Sequence, residues 1–233
     1  MKKMAAKKTI PKNQIETITT SQPAPVLTES GRTVAYSDAI FSIALTLMAL
    51  EIKIPTPEQI GSKNLLVALG EAWPAYLSFL ISFMIITVVW TNHHTIFRYV
   101  KYVDHNLTIL NNLLLLNIII IPFCSEMLGE YILLDNENSK IAALIYGGWV
   151  ALGGIPFNLV WRYGVKKEYL RNPEADLAEI EMISKHFIKG PYIYSFVTIL
   201  AFINVWLSIA GFVILILMYL VPTTWLFRKR KLA

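Results

Sequence analysis

Ionisable and polar side chains occur within strongly apolar stretches of this sequence. Arg32, Ser37 and Asp38 stand at the start of one apolar run, and His93 and His94 stand near the end of the next. An aspartate inside a membrane-spanning helix costs about 2.5 kcal/mol or more, so it is expected to face protein and to accept hydrogen bonds. Such groups can relay protons or ions, or they can lock helices in position. We favour the lock, because the polar face of this helix turns away from its apolar stripe.

Hydrogen-bond donors are predicted on neighbouring helices near the membrane depth of Asp38. Trp90 precedes His94 by one helical turn, and amide side chains recur along the following apolar run. The residues that we expect in this polar network, besides Ser37 and Asp38, are Arg32, Trp90, His93, His94, Asn106 and Asn111. A proton or ion pathway through the same residues is the alternative interpretation.

The same residue types do not form a recognisable metal or catalytic site. Adjacent histidines such as His93 and His94 project about 100° apart on a helix, so they rarely bind one metal ion together. The sequence has neither an HExxH motif nor a cysteine pair. It also lacks the GxSxG, Walker and GxGxxG motifs, and the TVGYG run of carbonyl-lined potassium filters. We therefore predict a protein that is not an enzyme and has no metal site.

Composition indicates that membrane helices position these residues. The chain has 233 residues, of which 55% are hydrophobic and 16% are charged, and its mean hydropathy is +0.51. A soluble domain of this length rarely carries so much apolar surface. The formal net charge of +5 is typical of a membrane protein whose basic loops face anionic lipid in the cytoplasm. We expect that lipid, and no nucleic acid, as a partner.

The apolar runs predict six membrane spans, since one span needs about 20 apolar residues. The first four spans are expected at about 33–54, 66–90, 107–133 and 141–161. Pro74 marks either the true start of the second span or a kink in it. The last apolar run, 188–227, is too long for one span, and a tight turn at Asn204–Leu207 would divide it into two short ones.

Basic residues are distributed unevenly over the segments between these spans. Of the 21 Lys and Arg residues, 18 fall in the tails and loops of one side and 3 fall on the other. Because basic loops stay in the cytoplasm, we expect both termini there. The predicted organisation is a disordered tail at 1–30, a six-span unit at 31–227 and a basic tail at 228–233. A cytoplasmic linker at about 162–188 contains a predicted amphipathic helix, which begins at Asn172.

The first predicted span has two different faces when it is drawn as a helix. One face carries an apolar stripe, which consists of Tyr36, Ala39, Ile43, Leu47 and Leu50 with Thr46 at its edge. The nearly opposite face carries Asp38 and Ser42. Ser42 is therefore expected to turn toward the protein, and the stripe is expected to turn away from the polar network.

Three stretches of the sequence resemble one known family. They are RTVAYSD at 32–38, WTNHHTIFRYVKYVDHNLTILNNLLLLNIIIIPF at 90–123 and FINVWLSIAGFVILILMYLVP at 202–222. The first closely resembles the RxxxFSD signature of the transmembrane protein 175 family, which comprises the endosomal and lysosomal potassium channels and their prokaryotic relatives. The resemblance covers about 31–227. Tyr36 departs from it, since the family usually has Phe at this position.

The resemblance implies an all-α membrane protein with six transmembrane helices, in which four identical chains surround a pore lined by the first helix. It implies a channel that passes K⁺ and other monovalent cations, and no cofactor apart from the permeant ions. The narrowest point of the family's pore maps onto Ile43. Further pore layers map onto about Thr46 or Leu47 and onto Leu50. A ring of isoleucines offers no ligand to an ion, so we expect only a weak preference for K⁺ over Na⁺.

The resemblance also gives the motif residues a structural role. Arg32, Ser37 and Asp38 would belong to a polar network that holds the first helix in place, and Tyr36 would stand where the family packs a ring. The alternative function is a proton-coupled secondary transporter that uses Asp38, His93 and His94. Such transporters usually have inverted repeats or broken helices, and the sequence shows neither clearly.

Two acidic residues follow the first span on the predicted outer side. Glu51 and Glu58 would attract cations to the outer mouth of a pore. The equally simple interpretation is that they keep an external loop soluble.

Overall fold

The computed structural model describes residues 26–50, 52–134 and 136–220. Within these residues, four helices are long and apolar enough to cross a membrane. They are α1 (Ser30–Leu50), α4 (Trp73–Tyr99), α5 (His105–Tyr131, continued by a 3-10 turn at Ile132–Leu134) and α6 (Glu137–Lys166). The chain is thus predominantly helical, and the expectation of membrane-spanning helices is confirmed.

Side-chain caps explain where two of these helices begin. Asp104 precedes α5, and its Oδ1 accepts a hydrogen bond of 2.8 Å from the backbone N–H of Leu107. Asn136 precedes α6, and its Oδ1 accepts from the backbone N–H of Asn138 at 2.9 Å. Both caps satisfy backbone donors that the first turn of a helix leaves free.

Short helices connect the long ones, and one of them changes a predicted boundary. The segment between α1 and α4 contains α2 (Pro57–Ile60) and α3 (Leu65–Glu71). The expected second span, 66–90, is therefore wrong at its start, because 65–71 forms a separate helix. Helix α4 begins at Trp73 with Pro74 in its first turn, where the missing N–H of proline has no intrahelical partner to lose.

The C-terminal part of the described chain is built from shorter helices. The amphipathic helix of the linker is α7 (Leu177–Phe187); its expected start at Asn172 is wrong, because Asp176 caps the helix by accepting a hydrogen bond of 2.8 Å from the N–H of Ala178. It is followed by α8 (Lys189–Ile199), a 3-10 turn at Leu200–Phe202, and α9 (Val205–Leu220). The turn predicted at Asn204 is present. The Oδ1 atom of Asn204 accepts a hydrogen bond of 2.7 Å from the N–H of Trp206. With 11 and 16 residues, α8 and α9 are each shorter than the about 20 residues of a full span. The count of six spans stays a prediction.

A two-stranded ribbon held by backbone hydrogen bonds precedes the first long helix and was not predicted. Strand β1 (Thr28–Glu29) pairs antiparallel with β2 (Tyr102–Val103), which lies in the turn between α4 and α5. The N–H of Ser30 donates to the carbonyl of Lys101 at 3.0 Å. The segment after α6 joins the same ribbon, since the N–H groups of Lys101 and Tyr102 both donate to the carbonyl of Leu170. The start of α1 is thus bonded to the turn between α4 and α5, which in turn is bonded to the segment after α6.

Part of the segment expected as a disordered tail, 1–30, lies in this ribbon. Thr28 and Glu29 are extended and paired, while residues 1–25 lie outside the described chain. The basic tail expected at 228–233 also lies outside it.

Close helix packing gathers the bundle around α6. Gly147 of α6 lies against Thr198 of α8, and Gly153 lies against the side chain of Asn117 on α5. A Cβ at either glycine would overlap these neighbours. Small residues allow helices to approach closely in a membrane, where packing rather than water exclusion holds them together.

Candidate functional site

Helix α1 has one face packed against its own chain and one face that packs against none of it. The buried face consists of Ser37, Phe41, Ala44 and Met48, which are each at most 1% exposed. These residues contact α4 and α5 through the buried cluster that contains Ile86, Leu115 and Ile118. On the other face, Tyr36 is 53% exposed, Ile43 is 54%, Leu47 is 41% and Leu50 is 76%. The predicted apolar stripe is therefore the face without partners in the described chain.

A buried chain of hydrogen bonds fixes the inward face of α1. Ser37 Oγ donates to the carbonyl of Thr33 at 2.8 Å and accepts from Asn111 Nδ2 at 2.9 Å. Asn111 Oδ1 in turn accepts from His93 Nε2, also at 2.9 Å. Ser37, His93 and Asn111 are 0% exposed. Three helices thus share one line of polar contacts.

The tautomer of His93 follows from its partner. The amide nitrogen of Asn111 donates to Ser37, so the amide oxygen faces His93, and an oxygen can only accept. Nε2 of His93 therefore carries the proton, while its buried Nδ1 has no hydrogen-bond partner among the described residues. Phe41 packs edge-on against the same imidazole, with ring centroids 5.4 Å apart. The ring is thus held by one bond and by apolar packing.

Asp38 lies beside this line and is less buried. Its Oδ1 accepts a hydrogen bond of 2.9 Å from Trp90 Nε1. His94 Nε2 lies 3.1 Å from the same oxygen, a distance typical of an ion pair, but the contact is not an aligned hydrogen bond. The rings of Trp90 and His94 meet edge to face at 4.8 Å. Asp38 thus connects α1 to two residues on consecutive turns of α4.

Two polar residues next to the apolar stripe, Ser42 and Thr46, are both exposed. Thr46 is exposed, and its Oγ1 donates to the backbone carbonyl of Ile43 at 2.9 Å, so the oxygen itself stays available as an acceptor. Ser42 was expected to turn toward the protein, and this is wrong, because its side chain is exposed. The inward face is centred on Ser37 and Phe41, and a rotation of about 100° per residue carries Ser42 out of it.

Known protein sequences and solved structures resemble this chain. A sequence profile described as "Endosomal/lysosomal potassium channel TMEM175" matches residues 32–122. A potassium channel of Chamaesiphon minutus is 39% identical over 186 residues, which cover 80% of this chain and 91% of that protein. The chain belongs to the TMEM175 family. A potassium channel of Streptomyces collinus is 35% identical, over 83% of this chain and 92% of that protein.

Structure and a more distant relative extend the match within the TMEM175 family. The crystal structure of a lysosomal potassium-selective channel TMEM175 homologue from Chamaesiphon minutus superposes with a TM-score of 0.75 at 36% identity, covering 83% of this chain and 97% of that one. An endosomal/lysosomal proton channel TMEM175 of Gallus gallus is 33% identical over 48% of this chain, but only 23% of that protein is covered. The chain is thus an integral, multi-pass membrane protein of this family.

Two members of the predicted network stand apart from it. Arg32, the first residue of the TMEM175 motif, is exposed and forms no ion pair with Asp38. Asn106 lies in a second cluster, where its Nδ2 donates to the hydroxyl of Tyr163 at 3.2 Å. That hydroxyl donates to Asp104 Oδ2 at 2.9 Å, and Tyr169 donates to the same oxygen at 3.1 Å.

This second cluster was not recognised in the sequence. Asp104 is 6% exposed, caps α5 with one oxygen and accepts from two tyrosines with the other. The hydrogen bond with Tyr163 and burial raise the pKa of Tyr169, so this phenol stays protonated. The available signal was an aspartate directly before a predicted span, which is the position of an N-cap. The tyrosines gave none, since they meet Asp104 only through the fold.

The opposite end of the bundle carries charges at the end of α1. Glu51 lies outside the described residues. Glu58 is exposed, and hydrogen bonds from its own backbone N–H and from Thr56 lower the pKa of its carboxyl, so it stays ionised. Lys53, which the sequence analysis did not single out, lies 2.8 Å from Glu126 and 2.9 Å from Glu130 on α5. Hydrogen bonds to these two carboxylates raise the pKa of Lys53.

No group of three or more metal-ligating side chains occurs in the part of the chain that the structure describes.

Proposed function

We propose that this protein is a potassium-permeable cation channel in which four copies surround a pore lined by α1. The observation that carries the proposal is the outward face of α1, where large apolar side chains have no partner within the described chain. A helix that packs against its own chain on one side and has no partner on the other fits a position at the central axis of an assembly of identical chains. Its relatives in two bacteria are named potassium channels, which supports the same function.

The narrowest part of the proposed pore is formed by Ile43, with further apolar layers at Leu47 and Leu50. Four β-branched side chains meeting on an axis leave little room for a hydrated cation and offer no hydrogen bonds to its water. Such a ring can act as a gate by losing its water. Thr46, with an available hydroxyl oxygen one turn from Ile43, supplies the polar layer. Selectivity then depends on pore radius and on electrostatics, so the preference for K⁺ over Na⁺ is weak.

The central experiment changes Ile43 and measures currents across a planar bilayer that contains purified protein. Ile43→Asn is expected to raise the single-channel conductance and to lower the K⁺/Na⁺ permeability ratio, while Ile43→Phe reduces the current. Ile155→Asn on α6 is the matched control, because Ile155 is also an isoleucine in a membrane helix and is 53% exposed. Equal effects at positions 43 and 155, or none at 43, would show that α1 does not line the pore.

Assembly and orientation belong to the same proposal. Light scattering in detergent should give the mass of four chains, and a monomer that still conducts after reconstitution would refute the tetramer. The bias of basic residues supports a cytoplasmic position for both termini and contact of the cytoplasmic face with anionic lipid. A reporter fused after Ala233 that is active only outside the cell would refute this orientation and the six-span arrangement.

One observation favours a second candidate, which is proton-coupled transport. Asp38 lies within 3.1 Å of His94, so a carboxylate and an imidazole are in contact inside a membrane protein. Relatives in several animals are named proton channels. For this alternative, uptake driven by a pH gradient should disappear in Asp38→Asn, whereas a channel should keep passing K⁺ without any gradient of protons.

A further inference from the structure

The buried carboxylate of Asp104 joins three parts of the chain through hydrogen bonds. Its Oδ1 accepts from the backbone N–H of Leu107 at 2.8 Å, which caps α5. Its Oδ2 accepts from the hydroxyl of Tyr163 on α6 at 2.9 Å and from that of Tyr169, in the segment after α6, at 3.1 Å. Hydrogen bonds to a carboxylate are about twice as strong as those between neutral groups, and Asp104 is only 6% exposed. Asp104 therefore holds the segment after α6 against the start of α5.

The segment that carries Tyr169 is also bonded to the turn between α4 and α5. Leu170 follows Tyr169 and is fully buried. Its carbonyl accepts hydrogen bonds from the N–H groups of Lys101 at 2.8 Å and of Tyr102 at 3.1 Å. Because Tyr169 and Leu170 are adjacent, loss of the hydrogen bond from Tyr169 to Asp104 should loosen this segment from the turn.

The same turn holds the start of α1. The N–H of Ser30 donates to the carbonyl of Lys101 at 3.0 Å, and Thr28 Oγ1 donates to the carbonyl of Val103 at 3.3 Å. Val34, near the start of α1, packs against the buried cluster that contains Val103. These contacts lie outside the polar line that fixes the inward face of α1, so they form a separate attachment of this helix.

We propose that Asp104 is a positioning residue for α1, which acts through the segment after α6 and the turn between α4 and α5. The inference rests on the proposed function in one respect, since α1 is taken to line the pore. Ile43, the proposed constriction, lies about 20 Å along the helix from Ser30. A change at Asp104 should therefore alter how often the pore is open, and should leave the path of an ion through the open pore as it is.

Two variants cut this connection without removing a large side chain. Tyr169→Phe deletes one hydroxyl and keeps both the ring and the cap of α5. In Asp104→Asn, the amide oxygen can still cap α5, but the amide nitrogen then faces the two tyrosines and cannot accept from either. Tyr131→Phe is the matched control, because Tyr131 is 42% exposed against 40% for Tyr169 and lies at the other end of α5.

Hydrogen exchange of the purified full-length protein in phosphatidylcholine nanodiscs tests the connection without any ion current. Amide exchange reports local opening of the backbone. The amides of Ser30, Lys101 and Tyr102 should exchange about tenfold faster in Tyr169→Phe than in the wild type, as expected when one hydrogen bond to a charged group is lost. Peptides from 37–48 of α1 should exchange as before, which distinguishes a local release from a general loss of stability. Tyr131→Phe should leave both regions unchanged.

The double variant of Asp104→Asn and Tyr169→Phe tests whether the two residues act through one bond. Both changes remove the same hydrogen bond, so the amides should exchange no faster in the double variant than in Asp104→Asn alone. Effects that multiply would show that Tyr169 acts through another partner, and this would overturn the proposal.

Recording across a planar bilayer then asks whether this attachment matters to the pore. In Tyr169→Phe and Asp104→Asn, the fraction of time that the pore is open should change by at least threefold. The single-channel conductance and the K⁺/Na⁺ permeability ratio should stay those of the wild type. Tyr131→Phe should match the wild type in all three quantities.

Other outcomes would also contradict the proposal. Unchanged exchange in Tyr169→Phe would show that Asp104 does not hold the start of α1, and this variant decides the point even if Asp104→Asn fails to fold. Faster exchange with an unchanged open fraction would show that the attachment does not position the pore helix. A changed conductance or permeability ratio would place the effect on the path of the ion. If the wild type passes no current, the proposed channel fails, whereas the exchange rates still decide whether Asp104 holds α1.

Discussion

The two faces of α1 are both mostly apolar, yet only one of them packs against the chain. Phe41 and Met48 are at most 1% exposed, whereas Ile43 and Leu50 are 54% and 76% exposed. Hydrophobicity therefore does not distinguish the faces. What distinguishes them is the polar line from Ser37 to Asn111, which only the inward face has.

The difference teaches how a membrane helix selects its orientation about its own axis. Lipid is as apolar as leucine, so an aliphatic side chain gains little by leaving lipid for protein. A serine or an aspartate gains much more, because an unsatisfied polar group inside the bilayer costs several kcal/mol. Ser37 and Asp38 thus fix the rotation of α1, and the stripe faces outward as a consequence. Four substitutions test this account.

The largest expected effect comes from emptying the inward face. Phe41→Ala should lower the free energy of unfolding by about 3–5 kcal/mol, because it leaves a cavity beside His93. Tyr36→Ala, an aromatic residue removed from the outward face, should lower it by less than about 1 kcal/mol. Denaturant unfolding of both variants in the same detergent makes the comparison. Similar losses for the two would mean that the faces do not differ in packing.

A smaller loss is expected when the polar line is cut. Asn111→Leu removes the donor to Ser37 and the acceptor of His93; Ser37 keeps its bond to Thr33, while the buried N–H of His93 is left unpaired, which costs about 1–3 kcal/mol. Asn112→Leu is the control, since Asn112 is the neighbouring asparagine and is exposed. Thermal unfolding should separate the two variants by several degrees. If Asn112→Leu is equally damaging, the buried hydrogen bonds are not what holds α1.

Replacement of Asp38 should be milder. In Asp38→Asn, Trp90 can still donate to the amide oxygen, so the change mainly removes the charge beside His94. We expect a loss of about 1 kcal/mol and a lower yield of tetramer, with the K⁺/Na⁺ permeability ratio unchanged. Size-exclusion chromatography and bilayer recording measure the two. Normal assembly with a changed ratio would instead place Asp38 in the conduction path.

The smallest effect is expected at the C-terminal end of α1. Lys53 is exposed, so Lys53→Met should cost less than about 1 kcal/mol, and 1 M salt should reduce the difference further. Because the pKa of Lys53 is raised, its contribution is present at neutral pH and is lost only as the pH rises through that raised value. Lys63→Met, which removes the pair with Glu71 on α3, is the control. A loss at Lys53 as large as at Asn111 would show that the C-terminal end of α1 is held as firmly as its buried face.

The long helices were predictable because a bilayer imposes a length and a composition. The start of α4 was harder to predict, because residues 65–71 are also apolar enough for a membrane span but form a separate helix. The ribbon was not predictable at all. A strand of two residues has no periodicity, and Thr28 meets Val103 only because the fold brings them together.

The polar residues near α1 show the same limit. Asp38 needs donors at its own depth, and Trp90 and His94 were among the few available there, so residue types alone suggested these contacts. Asn106 and Asn111 belong to different clusters because their amides reach different neighbours. The neighbour of Asn106 is Tyr163 on α6, a helix distant in sequence, so the sequence does not reveal the contact. The exposure of Ser42 depends on how α1 is rotated about its own axis. The position of Asp38 alone did not determine that rotation.

The ribbon gives α1 a fulcrum. Its first residue, Ser30, is held by a main-chain hydrogen bond, while its far end packs against α4 and α5 through Met48 and is followed by Lys53, whose exposed ion pairs reach α5. At about 1.5 Å per residue, Leu50 lies about 30 Å from this fulcrum and Ile43 about 20 Å. A tilt of the helix by about 5° would displace Leu50 by roughly 2.6 Å and Ile43 by roughly 1.7 Å. In the proposed pore, a tilt of α1 about Ser30 would therefore move the layer at Leu50 about one and a half times as far as the layer at Ile43.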